Sequence, residues 1–564
     1  MSAIIECVPN FSEGINTGTI QAITREIETV KGVRLLNVDP GKATNRTVVT
    51  FVGDPASVVE AAFRAIRKAG ELIDMQKHSG EHPRMGATDV CPLIPVSGIS
   101  LEDTADWARK LAERVGTEIK IPVYLYEAAQ KNNSRKNLSV IRAGEYEGFS
   151  EKIKDPQWVP DFGPAVFDVK RGATVIGARD FLIAYNVNLN TTSVRRANSI
   201  AFDVREAGRV KRTGDPINGP VELDKNNQPV IIPGSLKNVK AIGWFIEEYG
   251  IAQISMNLTN ISVTPLHIAF EEVCKKAEVR GIRVTGSELV GLVPLKSMLD
   301  AGKYFLKKQK RSTGLSEKEL IRIAVITLGL DELSTFKPEE RIIEYLLKNP
   351  VDSKLINLSL VSFADETASE SPAPGGGSVA AYLGVLGASL GVMVANLSAH
   401  KKGWDDRWEV FSDWAERGAE LKKELSLLVD EDTKAFDGIL QARTLPKSTE
   451  SEKIFRQKTI QEATRQAIEV PYKVMLASFK SMDLLLAMAR DGNSNSISDA
   501  GVGALCARSA VMGAFLNVCI NASGNESDLE IKKILTEGKK IQDAAIIKEK
   551  EILDLINKVI PVKI

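Results

Sequence analysis

The chain has 564 residues, of which 43% are apolar and 26% charged, and its 73 basic residues are balanced by 73 acidic ones. That length exceeds a single core and predicts about three units, while zero net charge removes the electrostatic reason to expect nucleic acid or an acidic membrane as partner. The opening "MSAIIECVPNFSEG" enters a strand-like run without the basic and apolar regions of a signal peptide, and Cys7, Cys91, Cys274, Cys506 and Cys519 are scattered as reduced cytoplasmic thiols would be.

In chain order, "VRLLNVD" and "NRTVVTFVG" are β-rich runs, and "DPASVVEAAFRAIRKAGELI" is an amphipathic helix opening at Asp54-Pro55. "ATVIGARDFLIAYNVNLNT" restarts a β-rich section. It is followed by a helix in "SVRRANSIAFDVREAG", strands in "VKAIGWFIEEYG" and "IAQISMNLTNIS", and a helix in "TPLHIAFEEVCKKAEVRG". The order strand, helix, strand, strand, helix occurs in both halves and predicts two α+β sandwiches of the ferredoxin-like kind, residues 1–180 and 181–325, with a ligand cleft between them. The Pro-, Asn- and Gly-rich stretch from Arg212 to Leu236 reads as a surface excursion. Short helices over 326–358 link to an all-α bundle, 359–564, with helices at 403–443, 450–480, 481–490, 499–522 and 526–558. The charge-free run from Ser371 to Ala399 is nearly long enough to span a bilayer, but Gly384, Gly387 and Gly391 at helical spacing suit a helix packed closely inside a bundle. A buried helix, not a membrane span, is expected.

Two of the four histidines stand four residues apart in "HSGEHPRMGATD". A metal pair at that spacing needs a helix, and Gly80 and Pro83 make this a loop. Two readings remain: surface histidines without a role, or an imidazole tuned toward neutral pH by Glu81, Arg84 and Asp89. In "LKKELSLLVDEDTKAFDGIL", steps of three and four run through Leu421, Leu425, Leu428, Asp432 and Ile439. Asp432 therefore falls on the apolar stripe, where burial raises a carboxyl pKa; it serves either as a proton-handling group or as a structural hydrogen-bond partner. Asp430 is expected to face water and pair with Lys434. "PAPGGGSVAA" presents backbone N–H groups at a helix start, and Asn517 and Asn521 share one face of a nearly uncharged helix.

Together "ECVPNFSEG", "HSGEHPRMGATDVCPLIP", "PDFGPAVFDVKRGATVIGARDFLIAYNVNLNT", "GSELVGLVPLKSML", "RIAVITLGLDELSTFKPEERIIEYLL", "PAPGGGSVAA" and "LVDEDTKAF" resemble the formiminotransferase-cyclodeaminase family, in the family's order from one end of the chain to the other. The Arg212–Leu236 loop departs from that pattern by its length. The resemblance implies transfer of a formimidoyl group from N-formimidoyl-L-glutamate to tetrahydrofolate, then cyclisation of 5-formimidoyltetrahydrofolate to 5,10-methenyltetrahydrofolate with loss of ammonia. It implies His82 as the catalytic residue of the first reaction and Asp432 of the second, with no assigned part for His78. It implies a folate-contacting stretch of Gly163, Pro164, Ala165, Val166, Phe167, Asp168, Val169, Lys170, Arg171 and Gly172. Tetrahydrofolate enters as substrate, in its (poly)glutamylated form, with no metal or redox cofactor; a homo-oligomer is implied as well. Two competing readings are an N-formylglutamate-using formyltransferase joined to a methenyltetrahydrofolate cyclohydrolase, and a catalytically silent folate-binding scaffold.

Overall fold

A computed structural model describes residues 3–41, 44–80, 83–214, 218–347, 355–371 and 373–560. The chain divides into two compact units, Met1–Ser297 with Leu328–Leu347, and Met298–Thr327 with Lys348–Ile564. Residues 298–327 cluster with the helical part, and 328–347 with the first unit.

The first unit opens with β1 (Ile4–Cys7), β2 (Asn10–Phe11), α1 (Thr17–Glu28), β3 (Val33–Gly41), β4 (Arg46–Gly53), α2 (Pro55–Leu72) and β5 (Thr88–Ser97). Asn16 caps α1 and Asp54 caps α2 by accepting from the Thr19 and Ser57 N–H groups, and the opening of α2 at Asp54-Pro55 is the one the sequence predicts. β4 and β5 flank β1 and β2 with antiparallel pairing, and β3 closes the outer side of β4. After α3 (Leu101–Arg114) comes β6 (Val123–Glu127). The short helices α4 (Leu138–Arg142) and α5 (Glu145–Lys152) then lead to β7 (Thr174–Ala178), which sits parallel between β5 and β6. Alternation along β1 places Ile5 and Cys7 in the core beneath the helices and turns Glu6 to the opposite face of the sheet. Cys7 Sγ and Cys91 Sγ lie 3.5 Å apart in that core as thiols, a proximity their separation in sequence conceals.

The second half repeats the order. It runs β8 (Ile183–Leu189), α6 (Val194–Val204), a ribbon of β9 (Arg209–Val210) with β10 (Ile231–Ile232), β11 (Val239–Ile246), β12 (Ile251–Leu258), α7 (Leu266–Glu278) and β13 (Val284–Val290). Its four-stranded sheet has the order β11-β12-β8-β13, antiparallel throughout. The first sheet's β3, β4, β1 and β5 stand in the same spatial order relative to the chain. The Arg212–Leu236 excursion projects from the β9–β10 ribbon, with Ile231 and Ile232 exposed.

α8 (Leu295–Lys308) crosses from the first unit into the second, followed by α9 (Glu317–Leu328). α10 (Pro338–Arg341) and α11 (Ile343–Leu347) belong to the first unit. The remaining helices are α12 (Leu360–Thr367), α13 (Gly376–Ala399), α14 (Trp408–Thr444), α15 (Glu450–Asp491), α16 (Ile497–Ala522) and α17 (Leu529–Val559). The expected break at 480/481 is absent. No helix breaker stands there, and the buried stripe continues through Ser478, Ser481, Met482, Leu484 and Leu485. α13 and the segment Ser494–Ala522 are each long and apolar enough to cross a membrane. Here α13 packs against α14, α15 and α16. Its glycines set that closeness: a Cβ at Gly384 would stand 2.5 Å from Ser478 Oγ, and one at Gly391 2.7 Å from the Leu484 side chain.

Candidate active sites

In the first unit three distant stretches meet at the "HSGEHPRMGATD" loop. Asn45 links them: its Oδ1 accepts from the Gly14 N–H at 3.0 Å and its Nδ2 donates to the Ser79 carbonyl at 2.8 Å. His78 is held from both sides of its ring. Arg84 Nε donates to Nδ1 at 3.2 Å, so the proton sits on Nε2, 2.8 Å from the Asn45 carbonyl. His78 is thus a buttress of the loop. Arg84, 7% exposed, also bonds Glu147, and the hydrogen bond between them holds the Glu147 carboxyl below its usual range. Asp89 is buried and accepts from the Met85 N–H at 3.0 Å and from Arg142 Nε at 3.2 Å. Burial pushes its carboxyl up, and the Arg142 guanidinium pulls it back. Of the expected tuning partners, Arg84 bonds both the His78 ring and Glu147, and Asp89 is engaged by Arg142. Glu81 and His82 lie outside the described residues.

The stretch Gly163–Gly172 is strapped to the same loop through backbone. Ala87 N–H donates to the Arg171 carbonyl at 2.8 Å, Ala173 N–H to the Met85 carbonyl at 3.0 Å, and Met75 N–H to the Lys170 carbonyl at 2.9 Å. Asp168 folds the stretch back by bonding the Arg171 N–H and guanidinium, and Phe167 packs against Phe149 and Tyr146. Gly163, Pro164, Ala165, Val166, Val169 and Lys170 are left exposed on its outer side. The structure thus joins the residues on either side of His82 to the stretch expected to contact folate.

A cavity of about 520 Å³ opens between the two sheets' halves of this unit. Tyr126, Glu127, Arg142 and Arg179 line it from the first half, and Asn238, Lys240, Thr259 and Asn260 from the second. Arg142 connects the cavity to the loop through Asp89. Sequence reasoning missed Arg142, Arg179 and Lys240: they stand at the ends of a short helix and of two strands, and only the tertiary fold makes them neighbours. Glu6 lies under the same region with 3% of its surface exposed. Burial pushes its carboxyl up to about 7, against the pull of Arg179 and with a further push from Glu344. A lone acid between apolar residues in "IIECV" was a signal that could have singled it out.

In the helical unit, three stretches noted separately in the sequence converge. Ser378 Oγ, in the first turn of α13, donates to Asp432 Oδ2 on α14 at 3.1 Å, and Thr433 Oγ1 is 3.3 Å from the same hydroxyl. A Cβ at Gly377 would fall 2.1 Å from Asp432 Oδ1, so only glycine admits the carboxyl at this helix start. A Cβ at Gly376 would fall 3.4 Å from Asn517 Nδ2 on α16. Asn517 itself donates to the Gly513 carbonyl and Asn521 to the Ala467 carbonyl, which points their amides to different partners. Burial raises the Asp432 pKa, and the bonds from Ser378 lower it again without cancelling the rise. Such a carboxyl can hold a proton nearer neutrality and pass it to a group at the mouth of the glycine turn.

Asp430 corrects the sequence expectation. It does not face water: it is 8% exposed and accepts from the Leu355 N–H at 2.8 Å and the Ile356 N–H at 3.3 Å. Helix-face arithmetic sees only α14, whereas the 355–356 segment covers the face it assigned to solvent. The two aspartates do serve different places, as their spacing requires. Among the described residues no group of three or more His, Cys, Asp and Glu side chains is placed to hold a metal ion.

Comparison with known proteins gives three consecutive family matches: the N-terminal subdomain of the formiminotransferase domain over residues 4–179, the formiminotransferase domain over 184–348, and formiminotransferase-cyclodeaminase over 359–540. A formimidoyltransferase-cyclodeaminase of Gallus gallus is 45% identical over 95% of both chains. A glutamate formimidoyltransferase of Streptococcus pyogenes serotype M1 is 39% identical, covering 54% of this chain and 94% of its own. A methenyltetrahydrofolate cyclohydrolase of Methylorubrum extorquens is 39% identical over 30% of this chain and 81% of its own.

Proposed function

This chain belongs to the formiminotransferase-cyclodeaminase family, and from that premise we propose how its two units divide the work. It is a bifunctional folate enzyme: the first unit transfers the formimidoyl group of N-formimidoyl-L-glutamate to tetrahydrofolate, and the helical unit cyclises the product to 5,10-methenyltetrahydrofolate with release of ammonia. The observation that carries the reading is the relative matched over 95% of the chain, beside formiminotransferase models that match residues 4–179 and 184–348.

In the first unit His82 is proposed as the base that takes the N5 proton as the folate nitrogen attacks the amidine carbon. Support comes from the frame on either side of it, with the His78 ring held by Asn45 and Arg84 and Arg84 engaged with Glu147. The folate is proposed to lie along Gly163–Gly172, whose exposed side adjoins that loop, and the cavity's Arg142, Arg179 and Lys240 suit the carboxylates of the donor. In the helical unit Asp432, its pKa raised by burial, is proposed to protonate the departing nitrogen as N10 closes the ring. The repeated sheet order supports assigning both halves of the first unit to the ferredoxin-like class, with subdomains at 1–180 and 181–325, a linker at 326–358 and the second domain at 359–564.

A cytoplasmic homo-oligomer is also proposed. Leu386, Met393 and Leu397 on α13 and Val502, Leu505, Leu516 and Ile520 on α16 form uncovered apolar stripes that a second copy would shield. On this reading α13 and α16 are bundle helices and not membrane spans.

The decisive experiment measures both half-reactions in single variants. His82→Ala abolishes transfer but leaves cyclisation of supplied 5-formimidoyltetrahydrofolate, and Asp432→Ala does the reverse; two variants that keep both activities would refute the assignment. The cyclohydrolase relative keeps one second reading in view, with N-formylglutamate as donor. Steady-state rates with the two donors separate them, ammonia appearing only from the formimidoyl compound.

A further inference from the structure

We propose that Glu127 recognises the formimidoyl group of the donor as a cation and so sets the preference for an amidine over an amide. Glu127 lines the cavity of about 520 Å³ in the first unit, and its role there rests on the reading of that cavity as the donor's site. The lining carries four cationic side chains, Lys136, Arg142, Arg179 and Lys240, and two acids, Glu127 and Asp180. Arg142 gives its Nε and Nη2 to Asp89. The four cations set against Glu127, Asp180 and this Asp89 leave one positive charge. That is the complement of a donor with two carboxylates and one amidinium.

The two acids on the wall differ in what they have left to give. Asp180 Oδ2 already accepts from Asn260 Nδ2 at 3.0 Å. Among the described residues nothing bonds the Glu127 carboxylate: partial burial pushes it up, and Lys240, Arg179 and Lys136 pull it back only as charges at a distance. The backbone singles out the same residue. Glu127 ends β6 at a φ of +47°, in the left-handed region that side chains of its kind rarely adopt. Its N–H is fixed to the Lys136 carbonyl at 3.0 Å, and that of Ala128 to the Ala178 carbonyl at 2.9 Å, which hold the turn in place. An amidine is protonated at neutral pH and offers N–H groups on two neighbouring nitrogens, a fork that one carboxylate accepts with both oxygens. A formyl group has a carbonyl oxygen in place of one nitrogen and sets its lone pairs against the second carboxylate oxygen. No proton changes hands at Glu127. It keeps the amidine charged, and the carbon of a charged amidine is the more open to attack by N5.

Isothermal titration of the full chain compares N-formimidoyl-L-glutamate with N-formyl-L-glutamate, the folate site being filled with 5-methyltetrahydrofolate, whose blocked N5 cannot react. The parent is expected to bind the formimidoyl compound tighter by about tenfold or more. Glu127→Gln is expected to bring the two within about threefold by weakening the formimidoyl compound alone, the unchanged formyl compound showing that the unit is folded. Glu127→Asp, which keeps the charge, is expected to retain more of the preference than Glu127→Gln. A preference undiminished in Glu127→Gln, or equal losses of both compounds in both variants, overturns the proposal and leaves the donor assignment standing. A parent that binds the two compounds alike overturns both.

Discussion

Glu6 shows how one residue's surroundings set a measurable property. Its folded pKa of about 7 lies above the ordinary 4.5 because burial disfavours the charge. An acid with a raised folded pKa keeps its proton in the native state. Its favourable contribution is therefore complete below 4.5 and is lost as pH rises through 7, a change of ~3 kcal/mol. Glu6→Gln should gain on the parent by about that amount between pH 4 and pH 8 in urea unfolding; parallel stability curves would show that Glu6 titrates normally. Gly377 sets a second test. A methyl group there collides with Asp432 Oδ1, so Gly377→Ala should lower cyclisation at least ~100-fold, about 2.7 kcal/mol in barrier terms, with transfer unaffected. Ser378→Ala removes a bond that lowers the Asp432 pKa and should move the alkaline limb of the cyclisation pH profile upward. An unmoved limb would dissociate Asp432 from the proton transfer.

At the scale of elements, helix faces were readable where one helix decides its own surroundings and unreadable where another segment does. Asp432 could be placed on a buried stripe from spacing alone, and the start of α2 from Asp54-Pro55. Asp430 could not, because its cover comes from residues 355–356, more than seventy positions away in sequence. The same limit hid the pairing of Arg142 with Asp89 and the proximity of Cys7 to Cys91. Asp430→Ala leaves two backbone N–H groups without their acceptor and should cost about 2 kcal/mol in thermal or urea unfolding. Asp430→Asn, which keeps an acceptor oxygen, should cost less; equal losses would mean that charge and not hydrogen bonding is at stake. α13 shows the reverse case. Its lack of charge is ambiguous between bilayer and bundle, and the close approach of Ser478 and Leu484 to its glycines is a packing that composition alone does not display.

At the scale of the whole chain, motif order revealed the family, while the grouping of residues 298–327 with the helical unit was not legible in composition. Residues 298–327 have the composition of an ordinary helical connection, yet Ser312 bonds Asn396 and the Gly314 backbone lies against Ala415, anchoring them in the helical unit. The apolar stripes of α13 and α16 lead to a prediction of assembly. Leu516 and Ile520 are 68% and 70% exposed, and Leu516→Glu with Ile520→Glu should reduce the sedimentation coefficient of the native protein to that of a smaller species. An unchanged coefficient would refute the proposed contact between copies.

The straps from Ala87 to Arg171 and from Ala173 to Met85 have a kinetic corollary. Neither segment can lift away without severing amides that also restrain the other, so both should open in one concerted fluctuation. In native-state deuterium labelling the Ala87 and Ala173 amides should then exchange with a common opening free energy and the same response to denaturant. A saturating folate analogue should slow the two together, as two leaves on one hinge pin.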